Sequence, residues 1–241
     1  MTLQEIFDLL QQGELAQMSL GTSDGVSIGE EHQARVIGAV NRALTELHKR
    51  FALRVLEVPL QMQVGTSVYW IDPKYAQSTG GTATKYLLDA AQPLEKLIRV
   101  EQIFDAEGCE LALNHKGDTV DQAQLWVRMP TYNCLVLPPD LATQTLKVLY
   151  RANHKKLEKT AGFFDPSQVQ VDIPEVYLEA LLLHVASTMT NPSGTASGNV
   201  AFHEGNNYWG KFEAACQSLM DYEYRNQETT ENFRLYRNGW V

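Results

Sequence analysis

The run Gly21-Thr22-Ser23-Asp24-Gly25 has the G-x-S-x-G spacing of a nucleophile elbow. An elbow sits on a strand-to-helix turn and recruits an Asp and a His from later in an α/β sheet. Here the run follows a short helical pattern and precedes almost the whole chain, so it reads as a loop. Residues 78–85 (STGGTATK) have the composition of a phosphate loop, but Thr84 stands where glycine must precede the lysine. No strand and helix flank them correctly, and they read as a surface loop. The histidines, His32, His48, His115, His154, His184 and His203, form no HExxH and no i, i+4 pair that would present two ligands on one helix face. His184 lies within the most apolar helical stretch and reads as a core or interface residue. Glu30-Glu31 and Asp118 with Asp121 read as solvated acids. With no catalytic set, metal cluster or cofactor fingerprint in view, the expectation is a protein that is not an enzyme and takes no cofactor or metal.

Two other sets suit binding rather than reaction. Lys147, Arg151, Lys155, Lys156 and Lys159 face a single nearby acid, Glu158. Such a run attracts phosphates or an acidic partner surface, and it competes with the plainer reading of a solvated strand end and loop. Tyr222, Tyr224, Arg225, Phe233, Arg234, Tyr236, Arg237 and Trp240 gather aromatic rings and guanidinium groups in the last twenty residues. Large rings are costly to leave in water, and aromatics with arginine anchor interfaces. This stretch either folds back on its own domain or docks on another subunit or protein. The expectation is docking, with residues 227–241 as an arm. Cys109, Cys134 and Cys216 are odd in number and far apart, which fits reduced thiols in a cytosolic setting.

The elements that must position these residues show in the hydrophobic pattern. A short helix is expected at 3–12, with Ile6, Leu9 and Leu10 inward. Ile37, Val40, Leu44, Leu47 and Phe51 recur at steps of three and four, so residues 30–53 form a helix with one apolar stripe. Ser27 and Glu30 are spaced as its capping box. From residue 54 the period becomes two: Val58, Leu60, Met62 and Val64 alternate with Pro59, Gln61 and Gln63, and Pro59 marks an edge strand. Short strands follow at 68–71, 97–104, 111–114, 125–129, 133–137 and 146–152, with one helix at 84–91. That spacing suggests an antiparallel sheet or small barrel rather than βαβ units. Asp172 and Glu175 make a second capping box around Pro174, leading into a helix at 176–189 that is apolar nearly all round and therefore buried. Asn191-Pro192 ends it, and a polar loop is expected over 191–206. Tyr208, Phe212, Ala215, Leu219 and Tyr222 then define a last amphipathic helix.

The fold class expected is α+β. Residues 1–54 and 172–226 each need a partner for an apolar face, and packing them together gives one α-helical bundle with an antiparallel β-rich domain, 55–171, inserted between its halves. Composition agrees with a packed chain: 44% of residues are hydrophobic, which excludes wholesale disorder. The net charge of −9, from 20 basic and 29 acidic residues, argues against a charge-driven nucleic-acid binder. Acid is concentrated late, with two bases against seven acids in residues 172–226. No apolar stretch approaches the roughly 20 residues of a bilayer span, and residues 1–12 lack the basic start of a secretory leader. Cytoplasmic synthesis and no membrane partner are expected.

One resemblance lies in the last third. Ile173-Pro174-Glu175, the run from Glu179 to Ser187 (EALLLHVAS), Asn191-Pro192, Glu204-Gly205-Asn206-Asn207-Tyr208 and the run from Lys211 to Cys216 (KFEAAC) together resemble the closing helix pair of tailed-phage head-to-tail adaptor proteins. The early long helix, the β-rich insert and the LKVLYR run of residues 146–151 are similar in layout. The resemblance implies a structural virion protein at the head–tail junction. It would form a ring, dodecameric in such proteins, that docks beneath the portal protein, extends the channel and attaches the next tail component (nozzle or tube). Genome DNA would pass without specific binding, which an acidic lining suits. In this family the C-terminal segment reaches toward the portal, the role expected of the aromatic and arginine set, and the 147–159 run would face tail or DNA. The insert is longer than in the simplest adaptors. Two other readings stay open: a phage-associated, cell-wall-acting hydrolase with acid groups in the insert, and a nucleic-acid-binding module using residues 147–159.

Overall fold

A computed structural model of the chain describes residues 1–18, 20–22, 25–90, 93–115, 126–137, 144–159, 164–190 and 199–228. The architecture is mixed α+β, with four α-helices among the described residues. The chain divides into two compact units, residues 1–44 with 156–241 and residues 45–155. The sequence period changes at 54/55 and 171/172, whereas these units divide at 44/45 and 155/156.

The first unit begins with α1 (Leu3–Gln12), whose Leu3, Ile6, Phe7 and Leu10 are buried at helical spacing. Leu9, expected inward, is 43% exposed; Phe7 takes its place because it falls on the Leu3–Leu10 stripe. Thr2 and Glu5 form a reciprocal capping box: the Glu5 amide donates to Thr2 Oγ1 and the Thr2 amide to Glu5 Oε2. The residues around it pair with 169–171, through Leu3 N–H to Val169 O and Val171 N–H to Met1 O, both 2.9 Å. α2 (Glu30–Arg50) buries the expected stripe of Ile37, Val40, Leu44 and Leu47. The capping box expected at Ser27 does not start it. Gly29 O accepts the first amides, from His32 and Gln33, while Ser27 Oγ accepts from Gln4 Nε2 at 2.7 Å.

α3 (Leu178–Thr190) is buried over nearly its whole surface. It is entered through a 3₁₀ turn, Glu175–Tyr177, with Pro174 extended at the cap position and no side-chain cap. The expected Asp172–Glu175 box is therefore replaced, because the tighter turn moves the helix start beyond the reach of Asp172. α4 (Asn199–Glu228) starts within the stretch read as a polar loop. Phe212 and Cys216 are its buried residues among those with described side chains; Tyr208, Ala215 and Leu219 of the expected stripe are half-buried and Tyr222 is exposed.

The second unit holds seven strands among the described residues: β1 (Val55–Gln61), β2 (Val68–Trp70), β3 (Leu97–Phe104), β4 (Ala112–His115), β5 (Trp126–Thr131), β6 (Cys134–Val136) and β7 (Thr145–Ala152). They form a three-stranded sheet in the order β1-β7-β3 and a four-stranded sheet in the order β2-β6-β5-β4. Inward residues of both sheets, among them Val58, Leu60, Tyr69, Val100, Leu135 and Val148, make one core. The first sheet is antiparallel throughout, and Pro59 lies on its edge strand as expected. The second corrects the antiparallel expectation: β4 and β5 run parallel, Ala112 beside Trp126 and His115 beside Met129. Ten residues separate these two strands in sequence, more than a hairpin turn uses.

No helix forms over the described residues 84–90 of the stretch 84–91. Leu87 instead bridges Leu60 and Ala76, and Gln61 N–H to Tyr86 O and Leu88 N–H to Pro59 O, both 2.8 Å, cover part of the open side of β1. Pairing an edge strand outweighs the helical spacing of so short a run. Tyr86 also caps β2. Its hydroxyl accepts from Trp70 N–H (2.8 Å) and donates to Trp70 O (3.1 Å), with its ring stacked on Tyr75 and edge-on to Tyr69. Burial raises this phenol well above its usual range.

Asp89 closes the same region and carries a pH signature. Burial pushes its carboxyl upward, but the Ser78 hydroxyl and the Ser78 and Leu94 amides all donate to it and hold it below the ordinary 3.8. A depressed carboxyl contributes stability that is complete above the unfolded value and is lost as pH falls through the folded one. Asp89→Asn places an NH2 against donors and is expected to cost about 1–3 kcal/mol at neutral pH. Urea titrations of both proteins should show that difference flat from about pH 7 to 5 and shrinking below about pH 4. A difference independent of pH would contradict the assignment.

Candidate functional site

In the first unit, α4 outruns its partner. α3 has 13 residues and α4 has 30, so at 1.5 Å per residue their lengths are about 20 and 45 Å. Contact is centred on His184, whose ring lies 4.9 Å from Phe212 and 5.7 Å from Trp209. Tyr208 on α4 donates to Glu14 O at 3.1 Å. After Cys216 the helix continues without burying any residue from 217 to 222: Met220 is 37% and Tyr222 62% exposed. Gln217 Nε2 to Asp221 Oδ1, 3.0 Å, supports this stretch from within the helix. A helix gains most of its stability by packing an apolar face, so a stretch that shows Met220 and Tyr222 to solvent is a surface suited to a partner.

Of the aromatic and arginine residues expected to dock, Tyr222 is thus on the exposed side of α4. Tyr224 and Arg225 belong to the last turns of the same helix. Phe233, Arg234, Tyr236, Arg237 and Trp240, with the rest of the arm, lie outside the described residues.

The basic run is less free than its sequence implied. Arg151 Nε lies 2.7 Å from Glu101 Oε1, and its Nη1 donates to Lys49 O at 2.8 Å. Lys156 pairs with Glu158 at 2.8 Å, and Lys159 donates to Glu30 O at 2.9 Å. Lys147, outward on β7, and Lys155 are exposed and carry no ion pair among the described residues. Lys147, Arg151 and Lys155 belong to the β-containing unit and Lys156 and Lys159 to the helical one.

The matches to reactive motifs resolve as structural. Gly25 takes a positive φ of 69° and its N–H donates to Thr22 O, and Gly21 bridges Ile28, while Ser23 and Asp24 of the elbow-like run lie outside the described residues. In the STGGTATK run, Lys85 Nζ donates to Lys74 O at 2.8 Å and Ser78 serves Asp89. His184 is buried and packed among rings. No group of three or more metal-ligating side chains occurs among the described residues, and no helix there is long and apolar enough to cross a membrane. All three cysteines are free.

The chain matches no family model and no curated protein.

A feature that sequence reasoning missed lies in the β-containing unit. Ile71, Asp72, Leu94, Lys96, Tyr132 and Asn133 are among the residues around a cleft of ≈ 380 Å³, and Glu95 also lines it. Tyr132 also borders a second cleft of ≈ 310 Å³ beside Arg99. Glu95 is engaged by Arg54 at 2.6 Å, and Asp72 Oδ1 caps the 3₁₀ turn Pro73–Tyr75 by accepting from Lys74 N–H at 2.8 Å. The available signal was Tyr132 itself, a large ring between two strands where small polar turn residues are usual.

Proposed function

We propose that the chain is a structural virion protein, a head-to-tail adaptor of a tailed phage that docks as a ring under the portal and carries the tail. The observation that carries this reading is α4: a 30-residue helix that exposes Met220 and Tyr222 beyond its last described buried residue, Cys216, and leads in sequence to thirteen residues that hold Phe233, Arg234, Tyr236, Arg237 and Trp240. Exposed apolar residues on a helix followed by an aromatic and arginine segment are what a subunit needs to reach a neighbour or a second protein. In this reading residues 1–54 and 172–226 form the ring-building bundle, and either that bundle or the β-rich 55–171 contacts the nozzle or tube protein. The net charge of −9 suits a channel that lets DNA pass without holding it.

Light scattering tests the proposal. The free chain should weigh in near its 27.1 kDa subunit mass. Mixed with portal rings of the encoding phage, it should add a mass corresponding to about a dozen copies. A chain that stays at its free mass beside that portal overturns the reading.

The hydrolase alternative has one observation in its favour, since Asp72 and Glu95 line a single cleft. Each carboxylate already serves a structural partner, which suits binding there better than proton transfer.

A further inference from the structure

The ≈ 380 Å³ cleft has no role in the adaptor reading, and its chemistry is specific. Its volume falls in the range of about 300–1,000 Å³ typical of small-molecule sites. Its lining combines apolar residues such as Ile71 and Leu94 with polar ones such as Asp72, Lys96 and Asn133. Lys96 Nζ and the Tyr132 hydroxyl make no hydrogen bond or ion pair among the described residues, and Tyr132 is 61% exposed at the turn between β5 and β6. Asn133 uses only Oδ1, accepting from Thr131 Oγ1 at 3.3 Å, which leaves its NH2 uncommitted. Asp72 uses only Oδ1, so Oδ2 remains an acceptor. An anion would meet the Asp72 and Glu95 carboxylates, and a divalent cation would meet the Lys96 ammonium. A wholly apolar ligand would strip water from these groups and return no hydrogen bonds. A neutral molecule with many hydroxyls, which donate and accept, and one apolar CH face fits this mixed lining.

We propose that this cleft binds a short neutral saccharide. The Tyr132 ring packs against the CH face of a sugar, Asp72 Oδ2 accepts from a hydroxyl, and Lys96 and Asn133 donate to ring or hydroxyl oxygens. Glu95, held by Arg54, lines the site and does not react.

Calorimetric titration of the full chain with glucose, galactose, mannose and N-acetylglucosamine, each as monomer and trimer, tests the site, with inorganic phosphate as the charged comparison. At least one saccharide should bind. Tyr132→Ala and Lys96→Ala should each weaken it about tenfold or more, while Tyr132→Phe retains the platform and most of the affinity. Both residues are exposed, so circular dichroism should be unchanged in all three variants. No binding by any saccharide, stronger binding of phosphate, or binding insensitive to Tyr132→Ala and Lys96→Ala each overturns the proposal. None of these outcomes depends on portal docking.

Discussion

Removal of residues 233–241 is expected to leave a folded chain that no longer joins portal-bearing heads. Every buried residue among those described, from Leu3 to Cys216, lies before that segment, and on the docking reading the truncated chain should unfold in urea within about 0.5 kcal/mol of the full one. What it loses is Phe233, Arg234, Tyr236, Arg237 and Trp240 together. Aromatic and arginine anchors at the centre of an interface cost about 2 kcal/mol or more each when truncated. Even two of them acting together would lower affinity about a thousandfold. Incorporation into heads, measured by sedimentation with purified portal-bearing capsids, should fall to background. Phe233→Ala and Trp240→Ala alone should give intermediate losses. Normal incorporation of the truncated chain would remove the arm from the mechanism. Loss of folding would show instead that these residues belong to a core.

The sequence was legible wherever one face of an element is buried. α1 and β3 have the bounds that their periods predict, and the stripe from Ile37 to Phe51 is buried as read. Errors arose where a tertiary partner overrode a local pattern. Residues 84–91 have helical spacing, but β1 offers unpaired backbone groups, and Tyr86 and Leu87 satisfy them in extended form. Asp172 is spaced as a cap, but Pro174 admits a 3₁₀ turn first. The parallel partnership of β4 and β5 depends on which strands meet across the sheet, and no local period encodes that. Candidate sites followed the same division. Tyr222 could be placed on a helix from spacing alone, but its exposure depends on where α3 stops. The cleft beside Tyr132 draws lining residues from 71–73, 94–98, 132–133 and 153, a set no linear motif contains. The basic run looked continuous because sequence does not reveal that Glu101 lies against Arg151.

Phe212→Ala should be the most destabilising single change in the helical unit. Its side chain is fully buried and packed 4.9 Å from the His184 ring and 5.3 Å from Trp209. Removing a buried phenylalanine costs about 3–5 kcal/mol, from lost transfer energy and the cavity left behind. That is a large fraction of the roughly 5–15 kcal/mol that holds a typical domain together. The loss matters more here because α4 has so few buried residues among its described side chains: Phe212 and Cys216. Tyr222→Ala, ten positions along the same helix, should change stability by no more than about 0.5 kcal/mol while weakening portal association. Urea unfolding of both variants, with portal binding as the second readout, separates the two halves of α4. On the adaptor reading, the turn around Phe212 holds the unit together and the exposed Met220 and Tyr222 beyond Cys216 serve a partner. A Phe212→Ala chain as stable as the parent, or a Tyr222→Ala chain destabilised as severely as Phe212→Ala, would show that the division does not fall at Cys216.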